Sequence, residues 1–240
     1  MAIAVFTDIH GNLEALEAIL ADIKKKRIKQ IFFLGDAVCF GSDSSACLKL
    51  LAKHNVQCVV GNNEQRLFRY DKSIANMTFG GRKHAEYIYH SLDNDDIRFI
   101  KSMPLSRSLD YKGYRLHFCH YGHDDAGVVR EDMDVFNEAE LDKMFGKVDA
   151  DVVFFGHLHV RKIYIRPYEK SYFMLASSGL RSNDTTYYTY FDVGGVIKDN
   201  YDIHRIKVTY DRKKFEQKMR ERDIPEKALF GRKFFGLELE

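Results

Sequence analysis

The chain has 240 residues, of which 45% are hydrophobic and 30% are charged, and its formal net charge is +2. This composition is that of an ordinary globular protein, and it excludes a disordered chain and a membrane-embedded one. The near-neutral charge disfavours nucleic acid as a partner. The four cysteines show no CxxC spacing, and the start MAIAVFTD lacks a signal-peptide pattern, so we expect a reduced, cytoplasmic protein without a membrane partner.

The first sixty residues alternate short apolar runs with amphipathic stretches. Strands are predicted over Ile3–Thr7, Ile31–Leu34 and Val56–Val60. The helix after the first strand has apolar residues at helical spacing and ends in the basic run Lys24–Arg27, which the helix dipole favours. A second helix is predicted over Ser44–His54. This β-α-β-α-β order indicates a parallel sheet covered by helices.

The alternation stops after the third strand. Residues 64–104 carry no strand pattern, but helical patterns occur around Gly81–Ser91 and Asn94–Ser102 before Pro104 closes the segment. About forty residues make a poor independent core. We therefore predict a helical insertion within a single domain of residues 1–240.

The remainder of the chain is mainly β-type in pattern. The predicted strands are Leu105–Asp110, Tyr114–Cys119, Asp151–Phe155, Lys162–Arg166, Tyr172–Ala176, Tyr187–Val193 and Tyr201–Val208. The first two form a hairpin through Lys112-Gly113, and one helix is predicted near Glu138–Phe145. A basic helix over Arg212–Arg222 and a short tail make up residues 211–240. The fold class is therefore α/β, a four-layer α/β/β/α sandwich.

Seven side chains of metal-ligand type follow the predicted strands. They are Asp8, His10, Asp36, Asn62, His120, His157 and His159. Ligands gather outside the carboxyl ends of strands in such sheets, so we expect these distant residues to converge. Carboxylate, imidazole and amide oxygen suit borderline-to-hard divalent transition metals better than they suit a thiolate zinc site.

The spacing of these residues indicates two ions. Asp8 and His10 lie two apart, so in extended backbone they share one face and can hold one ion, and His157 and His159 repeat the spacing. Asp36 could bridge two ions, because one carboxylate can donate an oxygen to each. Two ions about 3.5–4 Å apart clamp a phosphoryl group and lower the pKa of bound water. We predict a two-metal phosphoesterase with in-line attack by a metal-bound hydroxide.

The fragments DIH, GD and GN, a strand-terminal histidine and GHLH occur in an order that resembles the calcineurin-like metallophosphoesterases. The resemblance covers essentially the whole chain, and DIHGNLEALEAIL is similar to the start of small bacterial phosphodiesterases, which include enzymes resembling diadenosine tetraphosphatase. It implies one metal held by Asp8, His10, Asp36 and His159. It implies a second held by Asp36, Asn62, His120 and His157. Manganese or iron is the implied metal, with zinc or nickel as alternatives.

One position departs from the pattern of that family. Its common motif has histidine after the amide ligand, whereas this chain has Asn63, and an amide cannot supply a proton at neutral pH. We therefore hypothesise a small nucleotide-like substrate with a good leaving group, such as a dinucleoside polyphosphate. The alternative is that His123 replaces the missing acid, although a loop residue would also explain it. Asn12 and Arg181 are candidate phosphate contacts, and Asn12 could instead cap the following helix.

The insertion directly follows Glu64 and is expected to shape specificity. The basic and aromatic candidates for substrate contact are Arg66, Arg69, Tyr70, Phe79, Arg82 and Lys83, with Tyr121 outside the insertion. The simpler interpretation is that these side chains pack within a helical core or are solvated. Two other functions stay open. The basic run Arg205–Arg222 would suit a nuclease, and the missing histidine at position 63 would suit a non-catalytic scaffold, although retention of all seven ligands opposes the latter. A homo-oligomer is also left open.

Overall fold

Two five-stranded sheets pack face to face, with helices on both outer surfaces. The computed structural model describes residues 2–68, 78–130, 137–166, 168–194 and 201–240. The strands are β1 (Ile3–Phe6), β2 (Gln30–Phe33), β3 (Gln57–Cys58), β4 (Ser106–Tyr111), β5 (Tyr114–Cys119), β6 (Val152–Phe155), β7 (Lys162–Tyr164), β8 (Ser171–Met174), β9 (Thr185–Val193) and β10 (Tyr201–Thr209). The predicted α/β/β/α sandwich is confirmed.

Six helices match the predicted positions, while one directly after β3 and two in the tail were not predicted. They are α1 (Leu13–Lys25), α2 (Ser44–Lys53), α3 (Asn62–Phe68), α4 (Phe79–Ser91), α5 (Asn94–Ser102), α6 (Glu138–Phe145), α7 (Arg212–Glu221) and α8 (Lys227–Phe230), followed by a π-helix (Gly231–Phe235). The sequence analysis predicted only a tail after α7. The helices of the insertion are confirmed, while the division into one domain stays a prediction.

The order of the first sheet is β10-β9-β1-β2-β3, and that of the second is β4-β5-β6-β8-β7. As predicted, β1, β2 and β3 run parallel. In the second sheet β5, β6 and β8 also run parallel. The β4–β5 hairpin turns through Lys112 and Gly113, both with positive φ, as a two-residue hairpin requires. The carboxyl ends of β1, β2, β3, β5 and β6 therefore supply the loops that carry the candidate ligands.

The core consists of one layer between the sheets and one beneath each helical layer. Between the sheets, the rings of Phe32 and Phe118 stack with centroids 3.8 Å apart. Leu141 and Phe145 of α6 pack on the outer face of the second sheet. Strand β3 is shorter than predicted, because the Val60 N–H leaves the ladder and donates to the Pro104 carbonyl. In the described ranges, no helix is long and apolar enough to cross a bilayer.

The tail returns across the first helical layer. Phe215 of α7 and Phe235 of the π-helix pack with ring centroids 4.8 Å apart, in a cluster that also includes Ala15 of α1. The Arg212 side chain ties the two ends of this segment together by donating to the carbonyls of Arg181 and Phe235. The carboxyl-terminal segment is therefore an integral layer of the fold.

Candidate metal centre

All seven predicted ligands meet at the carboxyl ends of the strands. Five of them are almost completely buried: Asp8, His10, Asp36, Asn62 and His120. The other two, His157 and His159, are half-buried and give the site its access to solvent. Side chains that are separated by up to about 150 positions thus share one small volume, as the topology rule for parallel strands anticipates.

The backbone at most of these ligands is left-handed. The φ angles are 54° at Asp8, 47° at His10, 61° at Asp36, 71° at His157 and 58° at His159. Asp, Asn and His are the non-glycine residues that enter this region most readily. Each such residue still costs about 1–3 kcal/mol, and such strain clusters at functional sites. Five predicted ligands are therefore held in a strained backbone conformation, which lowers the folding stability of the chain.

Two glycines that precede ligands are required by close approach. A Cβ on Gly61 would lie 2.2 Å from Oδ1 of Asp36, and one on Gly156 would lie 2.6 Å from Oδ2 of Asp8. Contacts below about 3 Å do not occur for real Cβ atoms. The glycines of the GN and GHLH fragments therefore let the ligand carboxylates pass against neighbouring backbone.

Asp8, His10 and His159 form the first donor group. Oδ1 of Asp8 lies 3.3 Å from Nε2 of His159 and 3.7 Å from Nε2 of His10. The two Nε2 atoms of His10 and His159 are 3.2 Å apart. Oδ2 of Asp36 approaches this group, 3.8 Å from Nε2 of His10. These atoms lie as close together as ligands around one ion.

Asn62, His120 and His157 form the second donor group. Oδ1 of Asn62 lies 2.9 Å from Nε2 of His120 and 3.0 Å from Nδ1 of His157. Oδ2 of Asp36 lies 3.5 Å from Nε2 of His120. The same oxygen of Asp36 therefore faces both donor groups.

Backbone carbonyls orient two of the imidazoles. Nδ1 of His10 donates to the Val38 carbonyl at 3.1 Å, and Nδ1 of His120 donates to the Leu34 carbonyl at 2.7 Å. A carbonyl can only accept, so each neutral ring carries its proton on Nδ1 and turns the Nε2 lone pair toward the donor groups. This is the usual outer arrangement of metal-binding histidines.

The site combines metal-ligand donors with a buried carboxylate oxygen that a cation would stabilise. Oδ1 of Asp8 is buried and, among the described residues, forms no hydrogen bond. Burial alone would raise the pKa of Asp8, but the adjacent His159, His120 and His10 rings hold it below the ordinary value. A buried carboxylate oxygen is normally paired or bound to metal. The residues fit a divalent metal site.

Burial favours the neutral form of two ligand imidazoles. It lowers the pKa of His10 to about 4, against the opposing effect of Asp36, and it lowers the pKa of His157 to about 4. The pKa of His159 is raised, because the contact with Asp8 outweighs burial. A metal-binding histidine must be neutral, so His10 and His157 are in the binding form at neutral pH.

Glu64 is a site residue that the sequence analysis did not identify. Its fully buried carboxylate accepts four backbone N–H groups, from Asp36 (2.9 Å), Ala37 (2.7 Å), Val38 (3.2 Å) and Gly61 (2.9 Å). Burial and the nearby Asp36 carboxylate raise the pKa of Glu64 to about 7. Glu64 thereby fixes the loop that presents the Asp36 carboxylate. Its place two residues after Asn62 was the available signal.

Asn63 contacts Asp36 and is largely shielded from solvent. Its backbone N–H donates to Oδ1 of Asp36 at 2.9 Å, and its side-chain amide donates to Oδ2. The residue is buried, with 5% of its surface exposed. Asn63 therefore orients the carboxylate that faces both donor groups.

In the described ranges, no hydrogen bond or ion pair joins the side chains of the other predicted catalytic and substrate residues to the seven predicted ligands. His123 is exposed, its Nδ1 donates to the Asp124 carbonyl, and no hydrogen bond or ion pair in the described ranges joins it to a ligand. Asn12 is buried, accepts from Ala15 N–H and donates to the Gly179 carbonyl, so the capping interpretation accounts for it. The guanidinium of Arg181 lies 4.9 Å from the Tyr187 ring centroid.

The candidate specificity residues lie in different surroundings. Tyr121 is brought to the site, with its ring centroid 4.7 Å from that of His157, but it is only 1% exposed. Arg82 is half-buried and Lys83 is exposed on α4, and Arg66 lies on α3. Arg69, Tyr70 and the side chain of Phe79 lie outside the described residues.

Three half-buried phenylalanines, Phe40, Phe230 and Phe234, form an aromatic wall beside the first donor group. The Phe40 ring lies 4.8 Å from His10 and 4.6 Å from Phe234, measured between centroids. Phe234 lies 6.4 Å from His159, and Phe230 lies 5.0 Å from Phe40. The sequence analysis missed this wall, because its members meet only when the tail folds back.

Residues 1–161 match the family Calcineurin-like phosphoesterase. The chain is 30% identical to the uncharacterized protein MJ0912 of Methanocaldococcus jannaschii in a 241-residue alignment that covers 93% of this chain and 94% of that protein. Among solved structures, it shares the fold of the hypothetical protein PH1004 of Pyrococcus horikoshii OT3 (TM-score 0.76, 18% identity, 99% of both chains covered). It also shares that of a metallophosphoesterase from Sphaerobacter thermophilus (TM-score 0.69, 21% identity, 97% of this chain and 98% of that chain covered). The chain belongs to the calcineurin-like phosphoesterase family and is a metal-binding hydrolase of phosphoric esters.

Proposed function

We propose that this chain is a two-metal phosphodiesterase whose substrates include nucleotide polyphosphates. The observation that carries the proposal is the position of Asp36, whose Oδ2 lies 3.8 Å from Nε2 of His10 and 3.5 Å from Nε2 of His120. One carboxylate oxygen between two complete donor groups is suited to two ions, not one. Manganese or iron is proposed for both positions, since the donors are oxygen and imidazole.

Each group of residues has a separate role in this proposal. Asp8, His10 and His159 would hold one ion, Asn62, His120 and His157 the other, and Asp36 both. Two ions there would polarise the phosphoryl oxygens and lower the pKa of coordinated water. Asn63 and Glu64 keep Asp36 in place. The proposal assigns no nucleophilic role to a serine, threonine or cysteine of the described residues, so it includes no covalent intermediate.

Neither Asn63 nor His123 is placed to donate a proton to a leaving group, which favours substrates with good leaving groups. The Asn63 amide is occupied by Asp36, and it has no proton to give at neutral pH. His123 is exposed and turned to its own loop. A general acid contributes about 100- to 10,000-fold when the leaving group requires protonation. Phosphoanhydrides and activated esters require it least.

The aromatic wall supports a substrate that carries a planar ring. Phe234 and Phe40 are only partly buried, and both lie against metal-ligand imidazoles. Stacking of a base on an aromatic side chain contributes about 1–3 kcal/mol. A nucleoside attached to the reacting phosphate could therefore rest on this wall.

The proposal is tested by a manganese-supplemented activity screen of the purified chain. It spans cyclic nucleotides, aryl phosphodiesters, dinucleoside polyphosphates and phosphomonoesters, with Asp36→Asn as the blank. We expect hydrolysis of diesters and anhydrides that the blank lacks. Activity on phosphomonoesters alone, or equal rates in the blank, would reject the proposal.

The leaving-group argument has its own test. Rates are measured on aryl phosphodiesters whose departing phenols span several pKa values. Without a general acid the rate should fall steeply as the phenol pKa rises. A flat dependence would show that a proton donor is present, with His123→Gln as the variant that identifies or excludes His123.

A further inference from the structure

Three arginines from separate parts of the chain lie near Tyr187 of β9. Arg205 on β10 stacks on Tyr187 of β9, with its guanidinium carbon 3.6 Å from the ring centroid. Arg181 approaches the same ring at 4.9 Å. Arg161 lines the same small cleft as Tyr187 and Arg205. We call Arg161, Arg181 and Arg205 the arginine cluster.

The arginine cluster has no counter-charge of its own. In the described ranges, no carboxylate forms an ion pair with any of its three members, whereas other arginines such as Arg98 and Arg166 are paired. Burial and the like charges of Arg181 and Arg161 lower the pKa of Arg205. Guanidinium groups of like charge that lie this close together are at their most stable when an anion is bound between them.

The cluster lies close to the metal centre. Arg161 follows the ligand His159 by two residues. The Tyr187 carbonyl accepts from Ser178 Oγ at 2.8 Å, and the Ser178 N–H donates to the carbonyl of Thr7, which precedes Asp8, at 2.9 Å. Neighbouring strands lie about 4.8 Å apart, so Tyr187 on β9 is about one strand away from the end of β1 and Arg205 on β10 about two.

Guanidinium groups recognise phosphate through paired N–H donors, and they pack on aromatic rings without losing those donors. The Arg181 Nε already donates to the Thr185 carbonyl at 3.0 Å, which fixes the direction of its outer nitrogens. The stack on Tyr187 limits the freedom of Arg205 in the same way. The cluster is therefore partly pre-organised for a ligand that it does not itself contain.

We propose that the arginine cluster binds the distal phosphate groups of a polyphosphate substrate whose reacting phosphate lies at the metal centre. The inference rests on the proposed function, and it names the substrate class as one with at least one phosphate beyond the scissile position. Tyr187 serves as the platform that holds Arg205 and Arg181 in place. A departing oligophosphate would then be held by charge, in a site that has no acid to protonate it.

The test compares two substrates on the variants Arg161→Gln, Arg205→Gln and the double variant, with Arg98→Gln as the matched surface control. For a dinucleoside polyphosphate, KM should rise about 10-fold for each arginine removed, since a charge-assisted hydrogen bond is of that strength. For bis(4-nitrophenyl) phosphate, which has a single phosphate, KM and kcat should change less than about 2-fold. Unchanged KM on the polyphosphate, or equal losses on both substrates, would overturn the inference.

A binding measurement separates this inference from the proposed function. Calorimetric titration of inorganic triphosphate into Asp36→Asn, with and without the two arginine substitutions, needs no turnover. Binding that the substitutions weaken supports the cluster even if the activity screen fails. The inference would be rejected if the affinity for triphosphate did not depend on the arginines. It would also be rejected if the substitutions weakened binding of single-stranded DNA without any change on the polyphosphate. Neither outcome would contradict phosphodiester hydrolysis.

Discussion

Asn63 donates to both oxygens of Asp36, from its backbone to Oδ1 and from its side chain to Oδ2. The amide that stands where related enzymes are expected to carry histidine thus orients the carboxylate that faces both donor groups. Asn63 therefore acts on the position of Asp36, and the proposed function favours substrates whose leaving groups depart without protonation.

The first prediction concerns that contact. Asn63→Ala should lower the affinity for manganese about 10- to 100-fold, because loss of an outer hydrogen bond loosens the shared ligand. Metal titration followed by activity at saturating manganese measures it, with Asn137→Ala, a helix cap on α6, as the control. Recovery of most activity at high metal is expected. An unchanged metal affinity would show that the side-chain contact has no role.

Glu64 should act on stability as well as on metal binding. Glu64→Gln leaves one acceptor oxygen for four backbone N–H groups, and an unsatisfied buried donor costs about 1–3 kcal/mol. The free energy of unfolding of the metal-free chain should fall by about that amount in urea denaturation. Glu221→Gln on the exposed surface of α7 is the matched control. Equal stability of the two variants would contradict the clamp.

The aromatic wall makes a prediction about specificity. Phe234→Ala should raise KM for nucleotide substrates about 5- to 150-fold, from the loss of about 1–3 kcal/mol of stacking, with a smaller effect on kcat. A methyl-substituted phosphodiester without a ring should be affected little. The exposed Leu229→Ala, on the same segment, is the control. A uniform loss on both substrates would indicate a structural role alone.

His84 should make stability depend on pH. Its Nε2 accepts the Phe40 N–H and its Nδ1 donates to the Pro225 carbonyl, while burial lowers its pKa to about 4. Between about pH 6.5 and 4 the unfolded chain binds a proton that the folded chain does not, so stability falls as pH falls. The contribution of His84 is about 3 kcal/mol across that window.

The measurement for His84 is urea denaturation of wild type and His84→Gln between about pH 7 and 5. Glutamine can accept and donate but does not titrate, so the pH slope should be smaller in the variant. His90→Gln on the exposed face of α4 should keep the wild-type slope. Identical slopes in all three proteins would contradict the prediction.

The ligands could be predicted because each follows a strand, and the topology of parallel sheets then brings them together. Asp8 and His159 are about 150 positions apart, yet the order and spacing of the ligand fragments were sufficient to predict both. Phe234 could not be predicted in the same way, because its contact with Phe40 depends on the docking of a tail whose local pattern shows only a helix end. Arg205 became interpretable only when β10 was found paired with β9.

The left-handed backbone at five ligands has a consequence for how the protein can change. Glycine tolerates this conformation without strain, so Asp36→Gly or His157→Gly relieves a local cost while it removes a ligand. At these positions a substitution that relaxes the backbone also removes a predicted ligand, so relief of strain and retention of the metal site exclude each other there.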